Sequence, residues 1–343
     1  MESVMLRTEI LNSFSGANCL VTGGTGLIGR QVVDLLCSSG ANVRIVSLDN
    51  VNVNSQAEHV IADLTDLDVC MEMTKGIDFV FHLAGIKGGA GVSSTMLASH
   101  FVPTLMFNTN ILEAARRNKV KRLVYTSSIG AYQNTDVFIE SLETPGNFTQ
   151  PPMDFAGWAK RMAELQIHAY KVQYGMDNFA IVRPSNVYGP GDNFDPKNAM
   201  VIPTLLNRIY SKENPVIVWG DGSAVRDFVY SRDVAEGCLL ALHYGTNGTF
   251  VNLGSGTGVS IKELLTTLRS FLDFNYQFDA EKPGGYPQRV MDISLARQII
   301  DYSPSTSLRN GLQETWRWLL DNSTEYLNKK NYFNETPAGV LSQ

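Results

Sequence analysis

The pattern in this chain that most directly implies chemistry is the run of spaced glycines in VTGGTGLIG, between Val21 and Gly29. A short apolar run (Cys19, Leu20, Val21) leads into it. A helical pattern follows through Leu27, Ile28, Val32, Val33, Leu35 and Leu36. Strand, tight turn and helix in that order build a cradle for a dinucleotide pyrophosphate. Gly23 permits the turn, Gly26 removes a side chain where backbone approaches the anion, and Gly29 allows helix and strand to pack closely. The anion then meets unsatisfied N–H groups at the positive end of the helix. A second cluster of reactive groups follows the run RLVYT (Arg122–Thr126): Ser127, Ser128 and, four residues later, Tyr132. The Ser128 hydroxyl suits a hydrogen bond to a sugar hydroxyl or carbonyl, or a cap on local backbone. Tyr132 is a packing residue or a reserve proton carrier.

These groups need elements to hold them, and the flanking sequence supplies an alternation of strands and helices. Strands are expected at Val43–Ser47, His59–Ala62, Asp78–Leu83 and Arg122–Thr126, with helices ending near Lys75 and spanning about Ser99–Asn118. That alternation predicts an α/β fold, a Rossmann-type doubly wound parallel sheet with a ligand crevice at the strands' C-terminal ends. Residues 1–16 read as a short helix or arm. In NAD-selective sites an acidic residue closes the second strand and binds the ribose hydroxyls. Here that place is Ser47, with Asp49 two residues on; Arg30 and Arg44 are the nearby cations, Arg30 serving a phosphate or simply solvent. The cofactor is therefore NAD or NADP. Asp63, followed by Leu64, is placed to meet adenine or to cap the next helix. Ala84 and Gly85 let backbone pass close to the cofactor. His82, inside an apolar strand, reads as a core histidine. The glycine-rich loop Ile86–Ser94, with Lys87, borders a substrate.

Composition excludes several classes. The 343 residues, 44% hydrophobic and 18% charged, suit a soluble globular chain of about two domains or lobes. A net charge of −6 leaves no basic excess for a nucleic-acid partner. The four cysteines, Cys19, Cys37, Cys70 and Cys238, are scattered without companion histidines, so they read as reduced thiols with no metal or disulfide. No signal peptide or membrane span is recognisable, and a cytoplasmic protein is expected.

Taken together, the motifs resemble the extended short-chain dehydrogenase/reductase superfamily, which acts mainly on nucleotide sugars. The resemblance is carried by TGGTGLIG, Asp63-Leu64, HLAG (His82–Gly85), LEAARRNKVKRLVYTSS (Leu112–Ser128), RPSNVYGP (Arg183–Pro190) and RDFVYSRDVAEG (Arg226–Gly237). Within it, YGPGDNFDPKNAMVIPTLL (Tyr188–Leu206), VWGDGSAVRDF (Val218–Phe228) and KPGGYPQRVMD (Lys282–Asp292) look most like the GDP-fucose synthase family. The likeness spans roughly Ala17–Asn322. It implies an NAD(P) lobe of residues 1–183 plus about 234–253. A smaller α/β substrate lobe of about 184–233 and 254–322 would bind a nucleotide diphosphate sugar, GDP-linked by preference. Residues 323–343 fall outside it as a polar tail. It also implies that Lys160 and Pro184 meet the cofactor, that Asn186 and Arg226 meet phosphate or sugar, that Val201 and Trp219 flank the base, and that Arg289 closes the ribose–phosphate end. Arg226 would otherwise be a surface ion pair with Asp227 or Asp233. A homodimer is expected.

The same resemblance exposes departures. The family's chemistry uses Tyr-x-x-x-Lys on one helix, a spacing that puts phenol and ammonium on one face. Lys160 is present, in GWAKRMAELQ, but the phenol's place is Ala156, beside Phe155. An asparagine carried by many relatives falls on Thr104. The Asp-Glu pair of the dehydratases falls on Ile129 and Gly130, and the histidine of GDP-fucose synthases on Gly191. Dehydration and 3,5-epimerisation are thereby disfavoured. What remains is hydride transfer at a sugar carbon as a 4-epimerase, 4-reductase or 4-dehydrogenase, with Ser128, Lys160 and, in reserve, Tyr132 or Lys87. The alternative is a protein that binds both ligands without turnover.

Overall fold

The computed structural model describes residues 8–86, 88, 96–132, 136–139, 155–282 and 284–330. The first part of the chain runs β1 (Asn18–Thr22), α1 (Gly29–Ser38), β2 (Asn42–Ser47), β3 (Glu58–Ile61), α2 (Leu67–Met73), β4 (Phe79–His82), α3 (Leu97–Arg117), β5 (Arg122–Thr126) and β6 (Val137–Phe138). It continues through α4 (Phe155–Tyr174), β7 (Phe179–Pro184), β8 (Asn186–Tyr188), α5 (Val201–Tyr210), β9 (Val216–Trp219), β10 (Val225–Tyr230), α6 (Ser231–Tyr244) and β11 (Phe250–Leu253). The last elements are β12 (Gly258–Ser260), α7 (Ile261–Arg269), β13 (Tyr276–Asp279), β14 (Gln288–Met291), α8 (Ser294–Ile300) and α9 (Leu308–Asn322).

Seven strands form one sheet in the order β11-β7-β5-β4-β1-β2-β3, every neighbouring pair parallel. Parallel strands joined by helices are covered on both faces, so they read as continuous apolar runs. Cys19, Leu20 and Val21 of β1 are accordingly fully buried. The helix α1 sinks Val32, Val33, Leu35 and Leu36 onto the sheet, the spacing of one helical face. Strand order reverses about β1, which opens the crevice beyond β1 and β4 where such sheets bind ligands. A second sheet, β12-β10-β14-β6 with β8 alongside β10, and a two-stranded sheet of β13 and β9 lie outside the first.

The buried side chains fall into two clusters. The larger surrounds the seven-stranded sheet and includes α6, β11 and α8; the smaller gathers residues of α5, β9, α7 and α9. Two stretches pack more firmly than expected. Residues 8–12 are helical, and Ile10 and Phe14 are buried, with Phe14 edge-on to Phe79 at 5.5 Å. Beyond α9, residues 323–330 do not trail as a tail. Glu325–Asn328 form a 3-10 turn tied to the body by the ion pair of Glu325 with the buried Arg30 and by Lys329, which donates to the Gly191 carbonyl. Among the described residues no helix is long and apolar enough to cross a membrane.

Candidate active site

The glycine turn is built as its spacing predicts, and each glycine answers to a different neighbour. Gly23 sits at φ +66°, and a Cβ there would lie 2.8 Å from the Ala84 Cα. A Cβ on Gly29 would be 2.2 Å from the Gly23 carbonyl oxygen, so this glycine seats the helix on the turn itself. Gly26 differs: its Cβ would meet only the Gly23 oxygen, at 3.2 Å, and would otherwise enter the cleft. No side chain caps α1 and no acidic residue occupies its first turn. The N–H groups of Leu27 and Ile28, which line the cleft, have no acceptor among the described residues. A helix N-terminus with orphaned donors behind an open glycine is what a pyrophosphate fits.

At the far end of β2, Asp49 accepts a hydrogen bond from the Thr25 hydroxyl at 3.0 Å, and Ser47 bonds the Asp49 backbone. Asp63 and Leu64 also line the cleft. Asp63 is not the cap of α2: it turns back on Thr65 at 2.9 Å, while Asp66 accepts from Asp68 and caps the helix. Arg30 is not among the residues that line the cleft and is not solvated. It is buried, donates to the Thr25 carbonyl, pairs with Glu325 at 2.6 Å and lies over Trp318. Arg44 pairs with Glu58. Gly191, at φ +79°, is also fixed by Arg30, since a Cβ would fall 2.0 Å from its Nε. A side chain at this position would collide with the clamped Arg30 and strain the left-handed backbone.

Ser128, Ala156, Lys160 and Pro184 line the same cleft, as do Ala84 and Gly85. Ser128 does both things its position allows: its Oγ accepts from the Gly130 N–H at 3.0 Å and it lines the cleft. Lys160 is half-buried and donates to the Thr126 carbonyl at 2.7 Å. Burial lowers its pKa from 10.5 to about 8, against the raising effect of Glu164.

Behind it runs a buried polar chain. The Thr22 hydroxyl meets His82 Nδ1 at 2.7 Å, His82 Nε2 meets Asn108 at 2.9 Å, Asn108 donates to Tyr125, and Tyr125 donates to the Lys160 carbonyl. The buried asparagine of α3 is thus Asn108, one turn beyond Thr104. Burial, with the nearby Lys160 charge, holds His82 down to about 3 from its usual 6.5. The unfolded chain takes up that proton below about pH 6.5 and the folded chain does not, so stability is lost as pH falls from about 6.5 toward 3. Between pH 6.5 and 5 the expected loss is up to about 2 kcal/mol. It would be read as a falling urea midpoint, and His82→Gln should flatten the fall.

Asn186, Val201, Arg226 and Arg289 line the cleft as well. Arg226 on β10 lies in parallel register with Arg289 on β14. Neither suggested carboxylate pairs with Arg226. Asp227, the next residue on the strand, faces inward and accepts from Ser255, Gly256 and Met291. Asp233 accepts from Ser305 and Thr306. Arg226 instead donates to the Val225 and Tyr286 carbonyls, and burial and then the Arg289 charge pull its pKa below the usual value. Asn186 is oriented by the Asp227 carbonyl at 3.0 Å.

Two expected residues are not brought in. Tyr132 is buried among Phe138, Phe250 and Arg183, with its hydroxyl on Asn252 at 2.7 Å, because the 3-10 turn after Ser128 swings it under the sheet edge. Trp219, at the end of β9, is 59% exposed and does not line the cleft. Lys87 lies outside the described residues. The cleft also includes Tyr286, within the motif Lys282–Asp292 but not singled out there, and residues no motif pointed to: His100 on α3, and Tyr326, Lys329 and Lys330 beyond α9. Only the fold could supply the last three, since nothing in the sequence ties them to a turn about 300 residues away.

A doubly wound parallel sheet with an open glycine cradle at its switch point defines a dinucleotide-binding Rossmann protein. Residues 19–254 match the model of the NAD dependent epimerase/dehydratase family, and the chain belongs to that family. Its cofactor is accordingly a nicotinamide dinucleotide, which the cradle fits. The chain is 30% identical over 318 residues to GDP-L-fucose synthase 1 of Arabidopsis thaliana, spanning 90% of this chain and 95% of that one. It is 32% identical over 317 residues to a putative UDP-glucose 4-epimerase of Methanocaldococcus jannaschii, spanning 89% and 99%. Among solved structures, the UDP-glucose 4-epimerase of Thermotoga maritima with UDP-glucose superposes with a TM-score of 0.77 at 27% identity, covering 89% of this chain and 99% of that one.

Proposed function

We propose that this chain carries out hydride chemistry at a sugar carbon, C4, of a nucleoside diphosphate sugar, with a guanosine-linked sugar preferred. The observation that carries the reading is the in-register pair Arg226 and Arg289, which lines the same cleft as the glycine turn, Ser128 and Lys160. Two guanidinium groups held side by side disfavour each other's charge, and a diphosphate between them relieves that cost while matching their planar forks. The relatives' names support the substrate class: a GDP-L-fucose synthase for the base, and UDP-glucose 4-epimerases for the sugar position. On this reading, residues 1–183 with about 234–253 hold the cofactor and 184–233 with 254–322 hold the nucleotide sugar, with α8 and its flanks, from Met291 to Tyr302, packing on the cofactor side. A homodimer would cover the exposed Val102 and Met106 on α3 and Val172 and Tyr174 on α4. Unpaired thiols at Cys19, Cys37, Cys70 and Cys238 suit a reducing, cytoplasmic setting.

Bound NAD supplies the hydride acceptor and donor. Ser128 hydrogen-bonds the reacting sugar oxygen. Lys160, steadied by the Thr126 carbonyl, holds the cofactor ribose and favours an alkoxide by its charge. Tyr132 is spoken for by Asn252, so the proton passes through water in the space beside Ala156. Ile129, Gly130 and Gly191 offer no base for dehydration or 3,5-epimerisation. Calorimetric titration with GDP, UDP and dTDP tests the substrate class; GDP is expected to bind at least about tenfold tighter, worth about 1.4 kcal/mol. Tighter binding of either pyrimidine nucleotide overturns the base assignment. Ala156 also favours a second reading, in which both ligands bind without turnover. Unchanged sugar stereochemistry by NMR together with a steady absorbance of reduced nicotinamide, with GDP-, UDP- and dTDP-hexoses, would support it over the first, since a 4-epimerase returns its hydride and leaves no net absorbance change.

A further inference from the structure

The segment after α9 reaches the cleft beside Asp49 and is fastened there at several points. Glu325 pairs with Arg30, one residue past the glycine turn, at 2.6 Å. Lys329 pairs with Glu325 at 3.3 Å and donates to the Gly191 carbonyl at 2.9 Å. These three charged side chains are 9%, 15% and 15% exposed, so the clamp is interior and geometrically fixed. Its consequence appears at the next residue: the Lys330 backbone N–H donates to Asp49 Oδ1 at 2.8 Å, while Thr25 of the glycine turn donates to Oδ2. Asp49 stands two residues past β2, where the adenosine ribose lies in folds of this kind. Its carboxylate is thus held from both sides, one donor coming from the turn and one from the strap.

We propose that Glu325–Lys330 is a specificity-determining strap, which fixes the Asp49 carboxylate so that it accepts from a ribose diol and repels a 2′-phosphate. The strap is a positioning element, acting through Asp49. The proposal rests on Asp49 meeting the adenosine ribose, and the experiment separates the two. Lys329 has φ −98° and ψ 144°, the conformation a residue adopts before proline, so Lys330→Pro removes the one N–H while leaving Lys329 in the conformation it already holds. Lys330→Ala keeps it.

Calorimetry with NAD and NADP on the full chain should give a preference for NAD of at least about tenfold. Lys330→Pro and Asp49→Ala should each erase most of that ratio, and Lys330→Ala should retain it, with thermal midpoints close to the parent's for Lys330→Ala and Asp49→Ala. If Asp49→Ala erases the ratio and Lys330→Pro does not, the strap has no such role. If Lys330→Ala matches Lys330→Pro, the side chain rather than the N–H acts and the proposal is wrong. A ratio unmoved by Asp49→Ala overturns the placement of Asp49 and the strap's role with it. Should Lys330→Pro fail to fold, Glu325→Gln loosens the clamp instead. It must narrow the ratio, and an unchanged ratio there also overturns the proposal.

Discussion

Gly26→Val is expected to yield a folded protein that has lost dinucleotide binding, whereas Gly29→Ala is expected to lose binding and stability together. The two glycines share one turn but face different things. A side chain at Gly26 meets one carbonyl oxygen at 3.2 Å and otherwise projects into the cleft, past the orphaned N–H groups of Leu27 and Ile28. Valine there occupies the space a pyrophosphate needs and screens the donors it would use, so affinity should fall by at least about 10²-fold, or roughly 2.7 kcal/mol. At Gly29 the smallest side chain already reaches 2.2 Å from the Gly23 oxygen and 2.7 Å from the Gly24 Cα. Both are backbone atoms of the turn, which cannot swing aside as a side chain can, so α1 must lift from β1. Overpacking of this kind costs about 1–3 kcal/mol and sometimes more. Calorimetry with NAD and urea unfolding, run on both variants, separate the effects. Retained NAD affinity in folded Gly26→Val would remove the cradle from the cofactor site.

The contrast between those glycines marks what the sequence makes legible. Local patterns survive translation into structure because they depend on near neighbours. The strand–turn–helix around Gly23–Gly29, the parallel strands from β1 to β5 and the buried role of His82 all follow from periodicity and turn chemistry. Tyr132 packs as the first of its two readings expects, while Trp219, expected at the base, lies outside the cleft, because a position in a motif does not fix the direction of a side chain. One is drawn inward by Asn252 and an aromatic cluster, and the other is left exposed at a strand end. Arg30 reads locally as a phosphate ligand or a solvated helix residue, yet α9 brings Trp318 and Glu325 onto it. Contacts of that sequence separation leave no local trace, which is why residues 323–330 read as a tail. The pairing of Arg226 with Arg289 lies between these cases: both were singled out, but only the register of β10 with β14 puts them side by side.

Ala156→Tyr should accelerate turnover by about 10²–10⁴-fold, the usual contribution of a positioned general acid–base group. The geometry that supports this is already in place apart from the phenol. Ala156 lines the cleft one helical turn before Lys160, so a tyrosine would rise on the same face of α4 toward Ser128 and the sugar oxygen. Lys160 is anchored by the Thr126 carbonyl, and its ammonium would favour the phenolate form of a neighbouring tyrosine. That help depends on charge. Lys160 is positive below its pKa of about 8 and neutral above it, so the gain should fade as pH rises through about 8. Ala156→Phe fills the same space without a hydroxyl and serves as the control. Acceleration by tyrosine alone, with NAD affinity unchanged, identifies the missing phenol as the deficit of this site. Equal acceleration by phenylalanine would mean that closing the space to water is what matters. If tyrosine slows a measurable native rate or blocks sugar binding, the hollow beside Ala156 is itself part of the working site. The water-borne proton route is then the chemistry this chain has adopted. His100, which lines the same cleft on α3 with its Nε2 at 2.7 Å from the Ile86 carbonyl, becomes the first side chain to substitute in search of a relay.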